Sequence, residues 1–280
     1  MVDMSFITNW LMFAAILGLA ALGGMFSERS GIVNIALEGM MLMSACVTAL
    51  VGGTSGSPMI GLIAGLVSAC LLGIAHWALT QFYRLDQIVS GMGINLFAYG
   101  ATNFIALSFF KPEVPNQFLP IPVYFWCALI ALAASWFMFN RMRAGLRLLA
   151  IGENPDKART TGIEPVQVRL WALVFAGILC GLSGALVVTN SGGFGDNLTA
   201  GRGFIALAAL ILGGWRPVSV AVACLAFAAF EAAQIQFQGS PILGYQLPAA
   251  FWKSLPFLIT LIALAGLMGR TKAPAGLGKM

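Results

Sequence analysis

A chain of 280 residues that is 59% hydrophobic and only 9% charged is not a soluble globule, where about 25% of residues carry charge; lipid must be the solvent for much of its surface. The net charge of +5 does not point to nucleic acid, because the cations sit in loops between apolar runs and form no basic stripe with interleaved aromatics. The 33 glycines suit helices whose backbones approach closely within a membrane.

A spanning helix needs about 20 mostly apolar residues. Runs at 7–26, 32–51, 58–80, 86–110, 121–139, 166–189, 217–236 and 247–268 meet that requirement. The run 203–214 is too short to cross alone and reads as a discontinuous or re-entrant helix, tolerated where protein or a water-filled cavity covers it. The expected fold is therefore all-α, a polytopic transmembrane helical bundle of eight to ten spans forming a single domain, 1–280. Residues 1–8 hold no Lys or Arg, so the first run reads as a retained helix rather than a cleavable signal peptide.

In the segment 27–45, Asn34 and Glu38 are four residues apart and, on a helix, share a face. A carboxylate within the bilayer costs about 2.5–3.5 kcal/mol on insertion scales, so Glu38 must be protonated, paired, or turned to water or protein. Lining a pathway and fixing helix packing both satisfy that demand. Gly61/Gly65 and Gly177/Gly181 each form a G-x-x-x-G pattern, which indicates close packing and little else. In 86–104, Asn95, Tyr99 and Asn103 recur every four residues as a polar stripe suited to a hydrated pathway for a polar, stackable solute, or to helix–helix hydrogen bonding.

The loop 140–169 carries Arg141, Arg143, Arg147, Lys157, Arg159 and Arg169, and the tail adds Arg270, Lys272 and Lys279. The positive-inside rule places both in the cytoplasm. That puts 52–57, 111–120 and the N-terminus outside and Glu28, Arg29 and Arg84 inside, and it returns the tail inside if 203–214 crosses. Within the loop, Asn154 offers a cap, Pro155 a first helical residue and Gly162 a stop, so a short helix at about 155–161 is expected. It reads either as a solvated loop or as a docking helix for a soluble partner.

Gly181-Leu182-Ser183-Gly184 has the form used by intramembrane serine proteases, but His76, the sole histidine, lies near the end of another span; a small-residue packing site is the expected reading. Arg202 is expected near the outer mouth, in a surface role ahead of neutralising a partner carboxylate or meeting an anionic group, and Glu231 and Gln234 share a face of the next span that could line a cavity. The cysteines Cys46, Cys70, Cys127, Cys180 and Cys224 lie in separate apolar runs and read as small core hydrophobes. There is no phosphate-binding G-x-x-x-x-G-K-[ST] and no H-E-x-x-H or Cys/His cluster; no metal site or catalytic residue is expected.

The run Glu28-Arg29-Ser30-Gly31-Ile32-Val33-Asn34-Ile35-Ala36-Leu37-Glu38-Gly39-Met40-Met41 resembles the E-R-x-G-x-x-N-x-x-x-E-G-M-M pattern of bacterial ABC importer permeases. That family serves branched-chain amino acids, ribose-type sugars and nucleosides. Gly152-Glu153-Asn154-Pro155 through Ala158 to Gly162-Ile163 is similar to the family's coupling helix. Ala200-Gly201-Arg202-Gly203-Phe204-Ile205-Ala206-Leu207-Ala208, like the first run, is closest to the nucleoside and simple-sugar branch. The resemblance covers nearly the whole chain. It implies a permease domain whose cytoplasmic loop, 140–165, docks on an ABC ATPase subunit through Gly152, Glu153, Asn154, Pro155, Ala158, Arg159, Gly162 and Ile163. It implies three protein partners: that ATPase, a second homologous permease in a heterodimer, and a periplasmic or lipoprotein solute-binding protein. Membrane lipid surrounds the assembly, and no nucleic acid is involved. The permease needs no cofactor, because ATP is used by its partner, and it resides in the bacterial inner membrane with a cytoplasmic C-terminus. Asn34, Glu38, Asn95, Tyr99 and Asn103 are the candidates for the translocation pathway of a nucleoside or similar solute. A ribose-like sugar permease and an ion-coupled transporter are the competing expectations; few buried ionisable residues are available for the latter.

Overall fold

Long apolar runs can satisfy their backbone in lipid only as helices, and the chain is built accordingly. The computed structural model describes residues 4–110, 117–237, 241–242, 245–246, 251, 254, 258, 261 and 272–279. The helices are α1 (Met4–Arg29), α2 (Leu37–Ser55), α3 (Pro58–Gln81), α4 (Gln87–Phe109), α5 (Ile121–Arg141), α6 (Arg143–Glu153), α7 (Pro155–Thr160), α8 (Pro165–Ser191), α9 (Arg202–Leu212) and α10 (Pro217–Phe237). A two-residue antiparallel pairing of β1 (Pro241–Ile242) with β2 (Tyr245–Gln246) follows. Seven of these helices are long and apolar enough to span a membrane, and α9 is the short apolar one. The expected span 247–268 and residues 111–116 of the outer loop lie outside the described residues.

Helix α1 runs through the centre of the bundle, with Leu19, Ala20, Ala21 and Met25 fully buried. It packs on α8, α9, α10 and α5, while α2 packs on α3, α4 and α8. The glycine pairs stand at these seams. A methyl at Gly61 would lie 2.7 Å from the Gly52 Cα, and one at Gly177 would lie 2.6 Å from the Cys70 Cα. Both G-x-x-x-G patterns are therefore close-packing sites.

One expected boundary is corrected. The second span does not begin at 32: Ser30–Ala36 is non-helical and α2 starts at Leu37. Asn34 and Glu38 accordingly do not share a helical face. Gly31, at φ +91°, turns the chain off α1 in a conformation that favours glycine. The buried backbone that follows is satisfied from elsewhere, as it must be. Ser30 O accepts from Arg169 Nε at 3.2 Å, Gly31 O from the Gly278 amide at 3.1 Å, and Val33 O from His76 Nε2 at 3.0 Å. The Val33 amide donates to Gln87 Oε1 at 2.6 Å, and the Ala36 amide to Asn34 Oδ1 at 3.1 Å.

The same contacts gather one end of the bundle. The ends of α1 and α3, the starts of α4 and α8, the pair α6–α7, the α9–α10 turn and residues 272–279 meet there. Arg169, 3% exposed, ties them: besides Ser30 O it donates to Gln81 Oε1 at 2.9 Å and to Lys279 O at 3.1 Å. The Gly276 amide donates to Gly152 O at 2.7 Å. Arg29, Arg84, Arg141, Arg143, Arg147, Lys157, Arg159, Arg216 and Lys272 also belong to this cationic end, so the basic loop and the basic tail share one face of the molecule. The run 192–212 brings the chain back from the far end of α8 to this face, completing its passage through α9.

Candidate functional site

The residues of the first motif converge on the short helix α9. An isolated helix start leaves its first amides without partners, and α9 begins after a turn in which Asn197, Ala200 and Gly201 all have positive φ. Glu38, on the first turn of α2, completes it. Glu38 Oε1 accepts from Thr199 Oγ1 at 2.6 Å and from the Gly201 amide at 2.8 Å, and Oε2 accepts from the Gly203 amide at 2.6 Å. Its negative charge lies at the positive end of the α9 dipole. Gly203 permits the approach, since a methyl there would lie 2.6 Å from the Glu38 Cα and N. The opposite end of α9 is held by the other two motif charges. Glu28 Oε2 accepts from Trp215 Nε1 at 2.6 Å, and Arg29 Nε donates to Trp215 O at 2.9 Å. The α1–α2 corner thus straps α9 at both ends, and Glu38 has both oxygens engaged in that anchor.

Arg202, the first residue of α9, pairs with Glu231 of α10 at 2.6 Å and lies 5.2 Å from the Phe13 ring centroid. It therefore neutralises a carboxylate within the bundle, and the expected surface role is corrected: both side chains of the pair are largely buried. Ser183 Oγ donates to Ile16 O at 2.7 Å, whereas His76 Nδ1 lies 2.9 Å from Ser90 Oγ. The serine and the histidine are not paired with each other, and each serves packing.

On α4 the polar stripe divides. Asn95 is half-buried and turned to α2: its Nδ2 donates to Ile35 O at 2.9 Å, and its Oδ1 accepts from the Gly39 amide at 2.8 Å, capping the start of α2 from a neighbouring helix. Tyr99 is 43% exposed, beside exposed Leu96 and Phe97, and Asn103 is half-buried. Helix α4 buries few of its residues, so its outer face, with Tyr99 on it, is free for a pathway or another subunit.

At the cationic end, the expected short helix is present as α7. The Asn154 side chain accepts from the Lys157 amide at 3.0 Å, Pro155 opens the helix, and Gly162, at φ +80°, follows its end. The structure adds α6 before it, whose face carrying Leu148, Ile151 and Gly152 is buried. Of the residues the resemblance assigns to docking, Glu153, Arg159 and Gly162 are exposed, Asn154, Pro155 and Ile163 are partly so, and Gly152 and Ala158 are buried. Gly152 packs against the Arg29 carbonyl so closely that a methyl has no room. It seats the knob on α1. Arg159 reaches Glu164 at 3.4 Å, with both side chains at least half exposed. Trp215, Thr199 and Arg169 carry the anchoring, yet nothing local in the sequence marks them; the one signal was an arginine, Arg169, at the start of an apolar span.

A bundle of apolar helices that straps a half-helix against its central α1, with a small polar knob at its cationic face, is the build of a multi-span membrane protein, and its relatives make it a transport subunit. The chain belongs to the family described as branched-chain amino acid transport system / permease component, whose model matches residues 6–264. The guanosine ABC transporter permease protein NupQ of Bacillus subtilis is 33% identical, over 96% of this chain and 93% of that protein. The nucleoside ABC transporter permease protein NupC of Lactococcus lactis subsp. cremoris is 31% identical over the same shares. The D-allose transport system permease protein AlsC of Escherichia coli is 27% identical, over 74% of this chain and 67% of its own. A solved inward-facing ABC transporter, described as of the metal-chelate type, has the same fold, with a TM-score of 0.54 at 15% identity over 93% of this chain and 86% of that one.

Proposed function

We propose that this chain is the membrane-spanning subunit of an ATP-driven importer and that its cargo is a nucleoside or a similar solute. The observation that carries the reading is the exposed α6–α7 knob, seated through Gly152 on α1, in a chain about one-third identical to permeases named for guanosine and nucleosides. Glu153, Arg159 and Gly162 would meet an ATPase in the cytoplasm, and the cationic end and the tail would then lie inside. A second permease would face α4, and a binding protein would deliver the solute at the opposite side.

The contacts supply a route for the stroke. Closure of the ATPase pair moves α7. The Gly152–Arg29 contact passes the displacement to α1, the Arg29 and Glu28 bonds pass it to Trp215 and α9, and Glu38 passes it to α2, which Asn95 joins to α4. Rigid elements with two packed arrangements can relay such a motion as a two-state switch. The permease makes and breaks no covalent bonds; it holds and releases a pathway.

Proteoliposomes containing the permeases, the ATPase and the binding protein should accumulate radiolabelled guanosine only with ATP inside the ATPase compartment. Uptake by the permease alone under an ion gradient would refute the coupling. A sugar cargo has support from the D-allose relative; a thermal shift of the binding protein by allose or ribose, with none by nucleosides, would transfer the assignment to that branch.

A further inference from the structure

Two bowls open side by side at the cationic end. One, of about 390 Å³, lies between the end of α5 and the start of α10 and is lined by Arg29, Trp136, Asn140, Arg216 and Ser219. The other, of about 520 Å³, shares Arg29, Arg216 and Ser219 and adds Lys272. Arg29 and Arg216 thus border both bowls, and Lys272 borders the second. Among the described residues neither bowl has an acidic side chain in its lining, which leaves an excess of positive charge. Glu28 is already bonded to the Trp215 indole.

Along the same helices runs a groove of about 170 Å³ with an apolar lining that includes Leu22, Gly18 and Leu11 on α1, Leu129 on α5 and Leu225 on α10. Leu22 lies about 10 Å from Arg29 along the helix, and Leu11 about 27 Å. The groove therefore starts below the bowl and passes the bilayer midplane, about 15 Å from the interface. Leu129 is 58% and Leu225 37% exposed, so the groove opens sideways. Gly18 widens it: a methyl there would meet no atom within 4 Å. Trp136, 45% exposed, lines the first bowl one helical turn beyond Leu132 of the groove, a position that suits a tryptophan at the membrane interface.

We infer that this bowl and groove form a binding site for one anionic diacyl phospholipid. The phosphate and its anionic headgroup lie among Arg29, Arg216 and Lys272, and an acyl chain fills the α1/α5/α10 groove. Guanidinium groups suit phosphate oxygens, and basic pockets between helices at the cytoplasmic side take anionic headgroups. Charge complementarity above and an apolar groove along the same three helices below select a lipid over a soluble phosphate, which has no use for the groove, and over a docking protein, which would not reach into it. Occupancy would brace α5 against α10 next to Trp215.

The test is native mass spectrometry of the full-length chain, delipidated in mild detergent and titrated with phosphatidylglycerol or phosphatidylcholine of matched acyl chains. The wild type should hold one phosphatidylglycerol in preference. Arg216→Gln with Lys272→Gln should lose about thirtyfold of that preference, from about fivefold per cation, while Arg147→Gln, on exposed α6, should retain it. Gly18→Leu should weaken both lipids alike with an unchanged melting temperature. Equal affinity for the two lipids in the wild type, or equal loss in Arg147→Gln, overturns the site. Displacement of the lipid by water-soluble glycerophosphoglycerol at the lipid's own affinity, or unaltered binding by Gly18→Leu, assigns the bowl to soluble phosphates instead. Loss of ATPase binding by the double variant with lipid preference intact makes the bowl a protein contact and also overturns the inference. None of these readouts depends on which solute is carried.

Discussion

Replacing Glu38 by alanine removes the group that holds the start of α9. Three donors lose their acceptor: Thr199 Oγ1 and the amides of Gly201 and Gly203. Hydrogen bonds to a charged group contribute about 1.5–3 kcal/mol each, and an unsatisfied buried donor costs about 1–3 kcal/mol. Relaxation of the first turn recovers part of this, so the expected cost is about 3–5 kcal/mol, the usual penalty for breaking a buried charged contact. Glu38→Gln keeps one oxygen but turns an NH2 toward a donor, costing about 1–3 kcal/mol. The free, buried thiols of Cys46, Cys180 and Cys224 report the outcome, since a thiol-reactive dye reaches them only on unfolding. At roughly 2–4 °C per kcal/mol for a chain of about this size, the alanine variant should melt roughly 6–20 °C lower, with glutamine in between. An alanine variant that melts like the wild type yet no longer transports would show that Glu38 serves the solute and would sink the anchoring argument.

Trp215→Phe keeps an aromatic ring but leaves the Glu28 carboxylate without its indole donor; the melting temperature should fall, and a double-mutant cycle with Glu28→Gln should give a coupling of about 1–3 kcal/mol. Gly203→Ala drives a methyl into the Glu38 backbone and should cost about 1–3 kcal/mol or more by the same thermal assay. Gly93→Ala, whose methyl meets nothing, should melt no lower than the wild type. Glu153→Ala and Arg159→Ala, both on the exposed knob, should shift stability by no more than about 0.5 kcal/mol. They should still assemble with the ATPase but uncouple hydrolysis from uptake; unchanged uptake per ATP would count against the assigned docking surface.

Hydropathy located the described spans because a lipid-facing helix such as α5 must be apolar nearly throughout, and the cap, proline and glycine of α7 are local chemistry that any reader of the chain can find. The start of α2 was not legible. Ile32, Val33 and Ile35 look like the beginning of a span, and the groups that satisfy their backbone, His76, Gln87 and Arg169, lie far along the chain. The same distance hid the role of Glu38. Its cost in a membrane was evident from composition, but its partners stand more than 160 residues away. The stripe on α4 was half legible: four-residue spacing placed Asn95, Tyr99 and Asn103 together, but only the packing of α2 against α4 reveals that Asn95 caps a helix while Tyr99 faces outward.

The strap on α9 also has a consequence for how the protein is made. Glu28 and Glu38 arrive with α1 and α2, while the donors that bond them, the Trp215 indole and the start of α9, are separated from them by 187 and by at least 161 residues of chain. At about 5–20 residues per second of synthesis, that delay is roughly 8–40 s. For that interval Glu38 lies in an apolar span without its donors and Glu28, at the cationic end, lacks its indole partner, so the first helical hairpin must linger at the insertion machinery or in the hydrated interface until the second half of the chain emerges. The same contacts that hold α9 in the finished permease therefore impose an order on its biogenesis, with α1 and α2 fully bonded only once α9 has arrived.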